Sequence, residues 1–439
     1  MNKRTVGVWL AGLLALALLP PVQAQISESG SKPAAKPKLN AAGQPVRKVK
    51  PGLLRERTYK RLNVIYKAIG EERYQEALEG LNNLWPSTER FPYERAVLAQ
   101  AMAHTFAATE NYDEALKYFK MAVELDALPN LQHFQVMFGV AQLHAVKQQY
   151  EETIRWLKRW FAEVDTPPTA DAYVLLGNAH AQLGQYRPAI EALNQAVKLA
   201  DKPKESWYQL LMAMHYELKE YDKAAAMLEI LVRMNPGKKE YWTQLASMYL
   251  NLKKDPDALA VMALAHLQRL LEKESDYKQL YSLYGYLKVP YKAAAVLEEG
   301  IRKGIVKADR QNWESVANAW YAAQEMEKAL VAFGEASRYA DNGKIDMRRA
   351  YILIDQERWA EAVQALQAAI RKGGIKERER GNAWLMIGMA QFELDRLAEA
   401  EQAFKQARKN KKARKSANQW LKHLQDERKR RARAKEANA

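Results

Sequence analysis

One residue pattern returns down the whole chain at intervals of 33 to 38 residues. It is clearest at Tyr112-Asp113-Glu114-Ala115-Leu116, with Phe119 and Ala122 following at helical spacing. It recurs at Tyr186, Ala189, Leu193 and Ala196, and again at Tyr221, Ala224, Leu228 and Leu231. A small residue anchors each copy, at Ala77, Ala115, Thr153, Ala189, Ala224, Ala258, Ala293, Ala329, Ala362 and Ala400. A fixed period of this length predicts a stack of similar units, each burying its face on its neighbours, rather than a globule around one pocket.

Apolar residues recur every three or four positions from about residue 53 onward, and no alternating strand pattern interrupts them. Breaks fall at Trp85-Pro86, Leu128-Pro129, Pro167-Pro168, Lys202-Pro203, Asn235-Pro236-Gly237 and Gly373-Gly374. The expected fold class is therefore all-α, built from paired helices. Helix A of each pair carries a large residue, a small pair and an aromatic, as in Tyr173, Leu176-Gly177 and His180. Helix B carries the small anchor and a large residue four positions on. Small residues let the two helices approach; large ones fill the gap between units.

The ends differ from the array. Lys3 and Arg4 precede an apolar run from Val6 to Leu19, about 14 residues and too short for a comfortable membrane span. Pro20-Pro21 and Val22-Gln23-Ala24 follow, so residues 1–24 read as a signal peptide cleaved after Ala24, with a retained N-terminal anchor as the alternative. Residues 25–54 are rich in Pro, Ala and Lys and read as a disordered basic linker. Residues 55–410 form the array, and 411–439 a capping helix with a basic tail. The formal charge of +16 is uneven. Residues 25–61 hold ten basic and two acidic side chains and residues 405–439 fourteen and three, which leaves the array mildly acidic. The chain has no cysteine, which excludes a disulfide framework, a thiolate metal site and a cysteine nucleophile. With an export signal and no thiol, the expected address is the periplasm.

The A/B residue pattern resembles the tetratricopeptide repeat across residues 55–410. That resemblance implies a right-handed α-solenoid of about ten helical hairpins with a concave groove, closed by a C-terminal capping helix. Asp255 and Pro290 stand where tyrosine is usual, and Thr153 and Trp160 replace small residues. A narrower resemblance is carried by Tyr241-Trp242-Thr243-Gln244-Leu245, Leu271-Glu272-Lys273-Glu274-Ser275, Val289-Pro290-Tyr291-Lys292-Ala293-Ala294 and Lys412-Ala413-Arg414-Lys415-Ser416-Ala417. These stretches are similar to the repeat proteins that accompany TonB–ExbB–ExbD energy-transduction systems. The implied role is a periplasmic accessory of iron- or haem-type uptake. A scaffold for cell-envelope or secretion-complex assembly is the alternative.

His144, His180 and His215 recur at one position of successive units. Neighbouring helices pack about 8–10 Å apart, too far for stacked imidazoles to share one ion, so these histidines are expected to pack and hydrogen-bond within the array. The chain carries no zinc-protease, phosphate-loop or nucleophile-elbow motif. Neither an enzyme nor a cofactor is expected. Function then falls to helix A residues between the packing positions, among them Ala181. Asn178, Tyr216, Lys278, Asn318 and Tyr321 are the partner-binding candidates. The two asparagines stand where the resembled family uses an amide to hold a peptide backbone, one donor and one acceptor to an extended chain. The expected partners are TonB, ExbB or ExbD components or an extended peptide. For the basic tails an anionic membrane surface, an acidic partner or plain solvation fits better than nucleic acid, since the leader argues for export and no aromatic residues interleave for base stacking.

Overall fold

The three- and four-residue apolar spacing becomes helix in every copy. The computed structural model of the protein describes residue 43, residues 46–49 and residues 52–437, with side chains through residue 433. The leader at 1–24 and most of the linker lie outside the described residues. Among the described residues there are 21 α-helices and no strand. The chain divides into two compact units, one ending at Met234 and the other beginning at Asn235.

The first unit holds five hairpins. Their A helices are α1 (Glu56–Gly70), α3 (Pro92–Ala108), α5 (Asn130–Val146), α7 (Ala170–Gln182) and α9 (Glu205–Glu217). Their B helices are α2 (Tyr74–Leu84), α4 (Tyr112–Glu124), α6 (Tyr150–Glu163), α8 (Tyr186–Leu199) and α10 (Tyr221–Met234). The second unit holds five more. Its A helices are α11 (Lys239–Asn251), α13 (Glu274–Tyr286), α15 (Arg310–Ala322), α17 (Lys344–Asp355) and α19 (Glu377–Glu393). Its B helices are α12 (Asp255–Leu267), α14 (Pro290–Arg302), α16 (Met326–Arg338), α18 (Trp359–Lys372) and α20 (Leu397–Arg408), and α21 (Arg414–Ala437) closes it. Within each unit every helix packs on the one before and the one after. This is the α-solenoid of helical hairpins that the period implied.

All ten anchor residues lie on B helices and are 0–1% exposed. The large residue four positions on meets the small pair of the A helix. A Cβ on Gly177 would lie 2.8 Å from Leu193 Cγ, and one on Gly388 2.4 Å from the Phe404 ring. Glycine at these positions is a packing requirement, since any side chain would force the helices apart. The two irregular residues are accommodated. Thr153 is fully buried and its hydroxyl donates to Gln149 O (3.2 Å). Trp160 is buried, its indole N–H donating to Phe134 O at 2.9 Å. Pro290 and Pro256 occupy first-turn positions, where a missing N–H costs nothing.

The turn within each hairpin has one geometry throughout. A single residue adopts positive φ, at Glu72, Glu110, Gln148, Gly184, Lys219, Lys253, Lys288, Gln324, Glu357 and Asp395. The next N–H then donates to a carbonyl five residues back, as in Gln149 N to His144 O (2.8 Å) and Arg358 N to Leu353 O (2.8 Å). This closes the A helix as a Schellman motif. Only Gly184 adopts the left-handed conformation without a Cβ penalty. Gly184→Ala is expected to cost about 1 kcal/mol, because no neighbouring atom lies near its would-be Cβ and backbone strain alone acts. Chemical denaturation checks this; an unchanged midpoint would contradict it.

Arg47, in the stretch read as linker, is held against the first unit. Its guanidinium pairs with Asp126 and donates to Leu128 O (2.8 Å) and Asn130 Oδ1 (3.2 Å), while Asn130 Nδ2 donates back to Arg47 O (3.2 Å). A second tie fixes the start of α1. Glu94, 1% exposed, accepts from Arg55 Nη2 (2.6 Å), Arg55 N (2.7 Å) and Thr58 Oγ1 (3.0 Å). Burial pushes the Glu94 carboxyl up, but the Arg55 and Thr58 bonds outweigh it and hold it below the usual range.

The last helix continues through the basic tail, whose run after Glu427 has no apolar face. The packed side of α21 continues from Ala413, just before it, through Ala417 and Leu424, all buried, to Glu427. Arg428 pairs with Glu401 (2.6 Å) and donates to Leu397 O (3.1 Å), and Arg431 pairs with Glu427 (2.8 Å) and Asp395. Two tail charges, Arg428 and Arg431, are thus occupied by the final hairpin.

Candidate partner-binding face

The A helices project the residues between their packing positions onto one face of each unit. The candidates divide between the units: Asn178 on α7 and Tyr216 on α9 in the first, Lys278 on α13 and Asn318 and Tyr321 on α15 in the second. They share a register. Asn178 precedes Ala189, and Asn318 precedes Ala329, by the same eleven residues, while Tyr216 and Tyr321 each stand eight before Ala224 and Ala329.

Their surroundings differ. Tyr321 is 42% exposed. Asn318 is half-buried, and its Oδ1 is buried without a hydrogen-bond partner, an acceptor left unsatisfied on α15. Asn178 is also half-buried. Tyr216 packs obliquely on Tyr221, ring centroids 5.7 Å apart. Lys278 pairs with Glu274 at 2.6 Å, one turn away on the same helix, an exposed pair of little energetic weight. Nearby hydroxyls are satisfied internally, Ser282 Oγ by Lys278 O (2.8 Å) and Ser247 Oγ by Thr243 O (2.9 Å). Ala181 is a correction: it lies buried in the core of the first unit with Ala189, Leu193 and Leu211, because helix α7 turns it inward.

Continuing the register finds residues that the sequence reading stopped short of. Tyr351 on α17 and Met389 on α19 stand eleven before their anchors Ala362 and Ala400, as Asn318 does, and both are exposed. Tyr286 at the end of α13 is 70% exposed. The face of the second unit therefore grades along the chain from Ser247 and Ser282 through Asn318 to Tyr351 and Met389. The signal was available in the period itself.

The histidines perform the expected packing role, through one repeated contact. His144 Nδ1 meets Gln149 Oε1 (2.7 Å), His180 Nδ1 meets Gln185 Oε1 (2.6 Å) and His215 Nδ1 meets Glu220 Oε2 (2.8 Å). Each clamps the end of its A helix to the residue that opens the B helix.

Two polar features were not anticipated. Ser337 Oγ donates to Asp346 Oδ1 (2.6 Å), and Lys372 Nζ lies 2.9 Å from Asp346 Oδ2 and donates to Ser337 O (2.6 Å). This triad, with Ser337 and Asp346 buried and Lys372 half-buried, joins α16, α17 and α18, and its charges are paired with one another. A groove of about 750 Å³ lies between B helices α14 and α16, lined in part by Trp320, Glu298, Lys328 and Val331. The Trp320 indole donates to Glu298 Oε2 (2.7 Å), Lys328 Nζ lies 4.5 Å over its ring and Tyr291 meets it edge-on at 5.0 Å. The charges around this groove are engaged within the protein.

Paired helices, one anchor per pair and one turn geometry define a helical-hairpin repeat protein. More narrowly, the family model of the tetratricopeptide repeat matches residues 101–168, 215–269 and 347–416, and that of the anaphase-promoting complex (cyclosome) subunit 3 matches residues 146–231. Those stretches match the tetratricopeptide repeat, and the consecutive packing of helix pairs is that of a tetratricopeptide-type α-solenoid. Among solved structures it is similar to MamA from Desulfovibrio magneticus RS-1, with 21% identity over 42% of this chain and 99% of that one and a TM-score of 0.35. It is similar also to YrrB, described as a tetratricopeptide-repeat protein with an unusual peptide-binding site, with 17% identity over 40% and 88% and a TM-score of 0.34. A repeat protein from Parabacteroides merdae shares 11% identity over 56% and 93%, with a TM-score of 0.34. No curated protein matches.

Proposed function

We propose that this protein is a non-catalytic periplasmic scaffold whose A-helix face holds an extended segment of a partner protein, as an accessory of a TonB-linked iron- or haem-type uptake system. The observation that carries the binding reading is Asn318. Its Oδ1 is buried without a hydrogen-bond partner one turn before exposed Tyr321, and rotation of this half-buried amide would present an acceptor beside an aromatic platform to a backbone N–H and its side chain. The TonB-linked role is supported by the stretches at 241–245, 271–275, 289–294 and 412–417. These residues also have local tasks. Asp276 Oδ2 accepts from Glu272 N (3.3 Å) and Lys273 N (3.1 Å), Pro290 opens α14, and Ala413 and Ala417 seat α21. The periplasmic address is supported by the leader at 1–24.

Asn178→Ala combined with Asn318→Ala is expected to weaken partner capture about tenfold, a loss of roughly 1–2 kcal/mol of hydrogen bonding, while the melting temperature holds. Pull-down from envelope extracts with mass spectrometry reads both affinity and identity. Recovery of TonB, ExbB or ExbD supports the uptake role. Recovery of cell-wall or secretion machinery instead would favour the envelope-assembly alternative, and unchanged capture by the double variant would remove the asparagines from the site.

A further inference from the structure

The docked side of α21 fixes the direction in which its opposite side points. At about 100° of turn per residue, Ala413, Ala417, Leu424, Glu427 and Arg431 cluster on one side, and contacts bind that side to α20 and the residues before it. Lys415, Lys422, Lys429 and Arg433 fall within about 40° of a line on the far side. All four are exposed, and none has an intramolecular partner among the described residues. Eighteen residues at about 1.5 Å each make this row about 27 Å long. The basic run read from sequence is therefore split. Arg428 and Arg431 are consumed by Glu401, Glu427 and Asp395, whereas a sparser, straight set of cations remains free.

We infer that this ridge is a docking surface for anionic lipid headgroups, and that it lays α21 along a membrane without inserting it. The row has no apolar side chain with which to enter the acyl region, so the contact is electrostatic. It has no aromatic residue to stack a base, which disfavours single-stranded nucleic acid, and no apolar centre of the kind that a protein interface buries. A headgroup surface asks only for a set of positive charges held at one level, and four such residues on a helix meet that demand. Asp426 lies within the row and is exposed, and it weakens the ridge. The inference deepens the expectation of a basic tail at an anionic surface; it does not depend on which protein the A-helix face binds.

The test uses the chain from Gln25 to Ala439, the form that the proposed processing yields, with vesicles of phosphatidylcholine with and without phosphatidylglycerol. Wild type should sediment with the anionic vesicles at low salt and be released at high salt. Replacing Lys415, Lys422, Lys429 and Arg433 with glutamine should weaken binding about 600-fold, at roughly fivefold per cation. Glutamine at four exposed lysines of the array, Lys158, Lys202, Lys219 and Lys253, removes the same charge and should leave most of the binding. Asp426→Asn should tighten it about fivefold, a gain that misfolding cannot imitate. Equal losses in the two glutamine variants would reduce the effect to net charge and overturn the proposal. So would failure of wild type to bind anionic vesicles, or row-dependent binding to polyglutamate or DNA without binding to vesicles.

Discussion

Phe404→Ala is expected to lower the stability of the second unit by about 3–5 kcal/mol and to release α21 from the last hairpin. Phe404 is fully buried and is among the largest side chains so placed. Its ring fills the space left by Gly388 and lies nearly parallel to Trp420, centroids 5.5 Å apart and planes at 14°. Ala400 and Leu424 complete that cluster, with Trp420 and Leu421 packed against it. Removing the ring opens a cavity at the larger-residue seam that seats α21, beside the smaller one of Ala407, Ala413 and Ala417, so its amides should exchange with solvent far faster than those of α19. The outer ion pairs of Arg428 and Arg431 are exposed on their cationic side and contribute little by themselves. Hydrogen exchange across residues 414–433 reads the release; protection retained in the variant would mean that the ion pairs, not the apolar seam, seat the helix.

Acidification is expected to destabilise the first unit well before its carboxylates protonate. His104 and His133 are both held near pKa 4 by burial, with Arg47 adding to the effect at His133 against Asp126. His144 is shifted in the same direction by burial, against its Gln149 bond, and its Nε2 is buried without a partner. His104 packs edge-on to Phe119 (4.9 Å) and His133 to Phe134 (5.5 Å), contacts that suit a neutral ring. In the unfolded chain each titrates near 6.5. Stability is therefore complete above about pH 7 and falls as pH drops from about 6.5 toward 4, because the unfolded state takes up protons that the folded state refuses. Each of His104 and His133 should cost about 2 kcal/mol by pH 5 and about 3 kcal/mol by pH 4. Groups such as Glu94, whose pKa is lowered, begin to lose their contribution only as pH falls through the ordinary carboxylate value of 4.5, at the acid end of the histidine window. Denaturation of the first unit at pH 7 and pH 5 checks the size. His104→Leu with His133→Leu should flatten the dependence; a slope unchanged in that variant would place the acid sensitivity elsewhere.

The array was legible in the sequence because its anchors obey a steric rule. Only a small residue fits where two helices cross, so Ala77 through Ala400 mark every B helix. The hairpin turns were not legible. Their left-handed residue is Glu, Gln, Lys or Asp in nine of ten cases, so glycine flags only Gly184. The docking of Arg47 on Asp126 and of Arg431 on Asp395 was hidden for another reason. Each pairs residues far apart in sequence, and composition records their charge but not their partner. The A-helix face was half legible. Register placed Asn318 and Tyr321 on it, but the exposure of Tyr286 and the inward turn of Ala181 depend on neighbouring helices.

The central claim is that the A-helix face holds a protein partner. A photo-crosslinking residue at Tyr321 or Tyr351, on A helices, and at Val331, exposed on B helix α16, tests it in living cells. The account predicts a discrete protein adduct from the two A-helix positions and none from Val331. Adducts from Val331 alone, or no adduct from any position, would contradict it.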